Sequence, residues 1–173
     1  CVPDSVVNDL IDQIPDNCIP IICSGAVHIP ESMNKSIGVW YPLYSFKQGH
    51  KVDWKKVPVF CEANCKEVEG VLQSLNRILG KTAFWMDSVS RSKLHLGAVF
   101  ANNFTNALLM ATEDVLSDFS KEEVLNALYP IINQTITRWE EGEAKQFQTG
   151  PAVSGDRETI DSHLEMMNNY IEE

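Results

Sequence analysis

Hydrophobic and polar positions follow two different patterns along this chain. Up to residue 88, short apolar runs alternate with segments of helical spacing. Residues 5–13 place Val6, Val7, Leu10 and Ile11 at helical intervals. "CIPIIC" (18–23), "IGVWYPL" (37–43), "VPVFCEA" (57–63) and "TAFWMD" (82–87) are four β-rich runs. Pro20 interrupts the first, and Ser24-Gly25 follows it. "IPESM" (29–33) suggests one helical turn, and "CVPD" (1–4) reads as the tail of a strand, as though the chain began inside a domain. Residues 64–79 put Val68, Val71, Leu72, Leu75, Ile78 and Leu79 on one face, with Gly80 as the natural residue just past the helix end. Strands alternating with helices predict an open α/β sheet, mostly parallel.

After Asp87 the pattern becomes helical throughout. Residues 89–117 contain no proline, and as one helix they would form a rod of roughly 40 Å. Leu94, Leu96, Val99, Phe100, Phe104, Leu108, Leu109 and Met110 are its expected core side chains. Ser120 with Glu123 forms a capping box that opens a helix towards Trp139, which Pro130 is expected to kink or split. Residues 140–156 read as a loop of turn residues, after which Asp156 caps a last helix carrying Ile160, Leu164 and Met167. The expected organisation is therefore an α/β domain over residues 1–88 and an all-α domain over 89–173, joined by a long interdomain helix.

Composition narrows the function classes. The chain has 173 residues, 44% of them hydrophobic, and a formal net charge of −10. Such a chain repels nucleic-acid phosphates and anionic membrane surfaces, so neither is an expected partner. Much of the acid falls late (Glu140, Glu141, Glu143, Asp156, Glu158, Asp161, Glu165, Glu172 and Glu173) and reads as a solvated face. No apolar run reaches the roughly 18 residues of a membrane span, and no signal-peptide pattern opens the chain. The five cysteines are irregularly spaced, and Cys61 and Cys65 have no second pair or nearby histidine to complete a zinc site. Reduced thiols in a cytoplasmic protein are the expectation. The sequons at Asn34, Asn103 and Asn133 then carry no meaning.

The residues that change the picture lie on the long helix. Arg91, His95, Val99, Asn102, Asn103 and Asn106 recur every three or four positions, so they form one stripe. Amides and an imidazole buried without partners would cost about 1–3 kcal/mol each. They must therefore bond neighbouring backbone as structural residues, or face a wet cavity. Clefts between domains are where small-molecule sites concentrate.

The segments "LHLGAVFANNFTNAL", "QTGPAVSGD" and "TIDSHL" resemble the C-terminal helical region of the Rossmann-like DUF2520 family, commonly labelled NADP- or deazaflavin-dependent oxidoreductases. "SGA" (24–26), "GVWYPLYSF" (38–46) and "VPVFCEA" resemble the later half of that family's nucleotide-binding domain. The family is similar in architecture to the 6-phosphogluconate dehydrogenase superfamily. The resemblance implies the C-terminal part of a Rossmann-like domain over 1–88, a DUF2520-like helical domain over 89–173, and a homodimer formed through the helices. It implies NADP or NAD as cofactor, and a small carbonyl, imine or hydroxy-acid substrate in the interdomain cleft.

Related dehydrogenases carry a Lys followed four residues later by an Asn on the interdomain helix. "VFANN" places Asn103 on that Asn and Val99 where the Lys should be, and valine moves no proton. His95, one turn earlier, carries an imidazole, the side-chain type suited to proton transfer near neutrality, and is the candidate acid or base beside Asn103. Asn102, Asn106, Tyr41 and Thr149 are candidate substrate contacts. Val2, Pro3, Asp4, Ser24 and Gly25 follow strands where a Rossmann crevice lies, which makes them candidate cofactor contacts. As loop residues they also read as plain turn chemistry. No G-x-G-x-x-G phosphate loop occurs, and the resemblance places it upstream of Cys1. The alternative is a non-catalytic ligand-binding or dimeric interaction module on the same scaffold.

Overall fold

The computed structural model describes residues 2–30, 34–142 and 145–171. Its strands are β1 (Ile21–Ile22), β2 (Gly38–Pro42), β3 (Val59–Ala63) and β4 (Ala83–Trp85). Its helices are α1 (Val7–Gln13), α2 (Lys66–Ile78), α3 (Ser88–Ala98), α4 (Thr105–Val115), α5 (Lys121–Glu140), α6 (Pro151–Ser154) and α7 (Arg157–Ile171). The chain forms two compact units, Cys1–Asn103 and Phe104–Glu173.

In the first unit the strands lie side by side in the order β1-β2-β3-β4. The β1–β2 and β3–β4 pairs are parallel, as expected, but β2 and β3 run antiparallel, with Trp40 opposite Cys61 and Tyr41 opposite Phe60. The connection over residues 43–58 contains a single 3-10 turn, Trp54–Lys56, and β3 returns beside β2 in the opposite sense. The expected strand tail at Val2-Pro3 does not pair; Cys1 and part of "IPESM" (31–33) lie outside the described residues.

The sheet is covered on both faces, and strand alternation decides what each face receives. Val59, Cys61 and Trp40 turn towards α2, whose Val68 and Leu72 are fully buried against them. Each such burial stabilises by about 1.5–3 kcal/mol. Trp40 Nε1 donates to Asn76 Oδ1 at 2.8 Å, and Asn76 Nδ2 reaches the buried Cys61 Sγ at 3.5 Å. α2 ends as its sequence requires. Gly80 adopts φ +60, the Gly80 N–H bonds Arg77 O at 3.2 Å, and the Lys81 N–H bonds Asn76 O at 2.8 Å. On the other face, Val39 and Tyr41 pack with Ile11, Ile22, Val27 and Ile37.

The segment following Asp87 is helical up to Val115, but it is not one regular α-helix. Val99–Phe104 form a π-helical turn between α3 and α4. That turn coincides with "VFANNF", in which every residue but Ala101 is a weak helix former. The expectation of a buried apolar side also fails here. Leu96, Phe100, Phe104, Leu108 and Met110 are each about half exposed or more, and no residue of α4, α5 or α6 is buried.

In the second unit the capping box forms in full, with Ser120 Oγ accepting from the Glu123 N–H and the Glu123 carboxylate accepting from the Ser120 N–H. Pro130 lies inside α5 without splitting it. The expected 140–156 loop contains the one-turn helix α6, entered from Gly150 and left through Gly155. Asp156 caps α7, accepting from the Thr159 N–H at 3.1 Å.

Candidate active site

The site is built where β1 ends. Ser24, two residues past the strand, accepts the Ala26 N–H at 3.1 Å and the Val27 N–H at 3.3 Å through its hydroxyl oxygen. Its own hydroxyl proton goes to Asp4 Oδ2 at 2.8 Å. A small polar side chain closing a turn on its own backbone is what serine does best here. The turn is then fastened along α3. His28 Nε2 lies 2.9 Å from Ser92 Oγ, the Ile29 N–H donates to Ser88 Oγ at 3.3 Å, and Arg91 Nη2 donates to the Val27 carbonyl. α3 itself starts on Asp87, whose side chain accepts the Ser90 N–H at 2.6 Å. The Ser90 backbone and side-chain bonds hold the Asp87 carboxyl below the usual range.

Arg91 is fully buried. Its Nη1 pairs with Glu62 of β3, and the same carboxylate accepts the Ser88 hydroxyl at 2.8 Å and 2.9 Å. Breaking such a pair strands a charge in the interior, which is far more costly than losing a surface pair. Burial pushes the guanidinium pKa down, and interaction with Tyr41 opposes that.

One turn later on α3, the half-buried His95 meets Tyr41. The Tyr41 hydroxyl lies 3.1 Å from His95 Nδ1, with the rings edge-on at 66° and 6.1 Å between centroids. Tyr41 is only 8% exposed, and burial raises its pKa while the charge of Arg91 pulls the other way. Gly25 lies directly against the pair. A Cβ there would come within 2.7 Å of the Tyr41 ring and 2.8 Å of His95 Nδ1. The turn approaches the two rings this closely only because residue 25 has no side chain.

Of the residues singled out in the sequence, Asp4, Ser24, Gly25, Tyr41 and His95 come together. Val2 and Pro3 stand exposed just before the turn that Asp4 reaches. Asn102 and Asn103 lie exposed on the π-helical turn, Asn102 Nδ2 approaching Asn103 Oδ1 at 3.4 Å. Asn106 and Thr149 are exposed residues of the second unit, and Asn106 Nδ2 lies 3.5 Å from Met110 Sδ. The polar stripe is therefore not uniform. Arg91 does not face a wet space but anchors the interior, and Val99 is half-buried. Sequence reasoning missed Glu62, Ser88 and His28. A signal existed for Glu62, since in "VFCEA" it falls on the same inward face as Phe60. Among the described residues no cluster of His, Cys, Asp and Glu could hold a metal ion, and the described cysteines are not disulfide-linked. No described helix is long and apolar enough to cross a membrane.

Residues 57–173 match the family model described as a domain of unknown function, DUF2520. The chain belongs to the DUF2520 family. The first unit of this DUF2520 protein and its helical region are also similar to a solved structure. That is the crystal structure of a protein named as a putative NADP oxidoreductase from Bacteroides fragilis, at 30% sequence identity and a TM-score of 0.79. The similarity covers 97% of this chain and 66% of that one, so the chain spans slightly under two thirds of that protein's length. No curated protein matches the chain. The α/β sheet followed by helices is thus the Rossmann-like architecture expected for a DUF2520 chain.

Proposed function

We propose that this chain is part of an NAD(P)-dependent oxidoreductase acting on a small carbonyl, imine or hydroxy-acid substrate. The observation that carries the reading is the Tyr41–His95 pair, held against Gly25 near the carboxyl ends of the parallel strands β1 and β2. In open α/β sheets that is where ligands bind. The similarity to a protein named for NADP oxidoreduction supports it further.

The residues present fit one end of the cofactor. The turn braced by Ser24 and Asp4 is the proposed contact for the nicotinamide end, outside the space beside Gly25 that Tyr41 and His95 already fill. The chain's glycines do not form the phosphate-cradling G-x-G-x-x-G motif. A nicotinamide bound there would supply or accept hydride. His95 then holds and moves the proton at the substrate oxygen or nitrogen. Asn102 and Asn103 offer amide donors and acceptors for the same substrate. A second reading, a non-catalytic ligand-binding module, draws on Val99, which carries no titratable group where related dehydrogenases have Lys.

Calorimetric titration of NADPH, NADH and reduced deazaflavin into the full-length protein decides between them. Binding, with turnover lost in His95→Ala and Asn103→Ala, is the expected result. Failure of all three cofactors to bind rejects the oxidoreductase reading.

We also infer that two copies associate through the helical unit. Leu108, Tyr129, Ile131 and Trp139 are each at least 60% exposed, and α4, α5 and α6 bury no residue. A unit of this size cannot hold its fold against chain entropy without a covered apolar surface. A second copy of the same helices supplies a surface of matching length and character.

A further inference from the structure

We infer that Tyr41 and His95 form a proton relay, in which the Tyr41 phenol donates to His95 Nδ1 and His95 Nε2 carries the proton that leaves. The inference takes its substrate from the oxidoreductase reading, but its geometry stands on this chain alone. The contact is 3.1 Å between Oη and Nδ1. A phenol is the better donor of the two groups, and an unprotonated ring nitrogen the better acceptor. That choice fixes the tautomer: a neutral His95 bonded in this way must carry its proton on Nε2. Burial divides the roles. Tyr41 is 8% exposed and lies beneath the histidine, whereas His95 is only half-buried. His95 is therefore the outlet, and Tyr41 is a positioning and relay residue behind it.

The step balances. When hydride adds to the substrate carbon, the C–H pair of a reduced nicotinamide would become the new C–H bond, leaving the oxidised nicotinamide, and the carbonyl π pair moves to oxygen. The oxygen takes the Nε2 proton. As that N–H bond breaks, Nδ1 accepts the phenolic proton, the Tyr41 O–H bond breaks, and the anion remains on Tyr41. Solvent returns a proton through His95 Nε2, and Nδ1 gives its proton back to Tyr41.

Burial disfavours a phenolate at Tyr41, and the charge of Arg91 opposes that effect. The guanidinium of Arg91, i−4 from His95 on α3, is fully buried, and its charge reaches Tyr41. Glu62 from β3 faces Arg91. From the turn, His28 is held by Ser92, and Asp4 is held by Ser24. Gly25 blocks the rings from separating towards the turn, and Phe60 backs Tyr41 at 6.4 Å between centroids.

Nitrogen-15 NMR of histidine-labelled protein without any cofactor tests the relay. The expected spectrum has neutral His95 protonated on Nε2, with Nδ1 shifted as a hydrogen-bond acceptor. Tyr41→Phe should remove that shift. Ultraviolet titration, with Tyr41→Phe subtracted, should place Tyr41 ionisation at higher pH in Arg91→Met than in the parent protein. In turnover, Tyr41→Phe should lower kcat tenfold or more with KM little changed, and reduce the number of protons in the solvent-isotope inventory from two to one. A neutral His95 protonated on Nδ1 overturns the relay outright, and so does a Tyr41→Phe variant with unaltered kcat and isotope inventory. The tautomer is read on the parent protein, so the test survives if Arg91→Met does not fold. It also separates the two claims. Loss of cofactor binding would sink the oxidoreductase reading and leave the tautomer standing, whereas an Nδ1 proton would sink the relay alone.

Discussion

At residue 25 a single hydrogen atom separates the turn from two aromatic rings, and that clearance is the most sensitive point of the site. Gly25→Ala would drive a Cβ to 2.7 Å from Tyr41 and 2.8 Å from His95 Nδ1, inside any real contact distance. Tyr41 is packed from behind by Phe60, so the strain falls on the Tyr41–His95 bond. The expected cost is about 1–3 kcal/mol of overpacking. Chemical denaturation should show it together with a changed His95 ring-nitrogen shift. Glu62→Gln isolates the other sensitive residue. It leaves the buried Arg91 guanidinium without its counter-charge, and about 3–5 kcal/mol of stability should be lost in the same assay. His95 was legible from its place in the stripe, because helical periodicity says which side of a helix a residue faces. It does not say what stands opposite. The carbonyl that takes Arg91 comes from Val27, 64 residues earlier, and the carboxylate from Glu62, 29 residues earlier. Arg91 was therefore grouped with the wet residues although it belongs to the core.

Helix ends were the most legible elements, because a cap is decided by residues three or four positions apart. Ser120-Glu123, Asp156 and Gly80 all behave as spacing predicts. The sense of β3 was less accessible, since it depends on the path of the 43–58 connection, which has no periodic pattern to read. The π-helical turn at Val99–Phe104 carries no distinct hydrophobic period and was read as ordinary helix. The caps lead to a pH dependence. The Asp87 carboxyl is held low by Ser90, that of Glu123 by Ser120 and that of Asp156 by Thr159. Each group has a depressed folded pKa, so its contribution is fully present above the unfolded value and disappears as pH falls through the folded one. Helical circular dichroism should hold from neutrality to about pH 4, the ordinary carboxylate range, and decline below it. Asp156→Asn, which still caps but does not titrate, should flatten part of that decline. Gly80→Ala should cost about 1 kcal/mol, because φ +60 suits only glycine without strain.

Considered whole, the molecule sets two forces against each other. Each chain carries a net charge of −10, so two copies repel. Each also exposes apolar side chains such as Leu108 at 69% and Trp139 at 65%, beyond what isolated surface residues explain. If the helical units meet through that apolar surface, attraction is short-ranged and insensitive to salt. Repulsion between the acidic surfaces acts over about 10 Å at 0.1 M ionic strength and shrinks as salt is added. The dimer should therefore tighten with salt. Sedimentation at tens of micromolar should give a species of twice the 19.4 kDa chain mass, with a dissociation constant that falls between low and moderate ionic strength. Leu108→Glu combined with Trp139→Glu removes apolar area and adds charge, so it should dissociate the pair most strongly at low salt. A dimer that weakens as salt rises would instead be held by ion pairs across the interface. A monomer at every ionic strength would mean that another partner covers the helices.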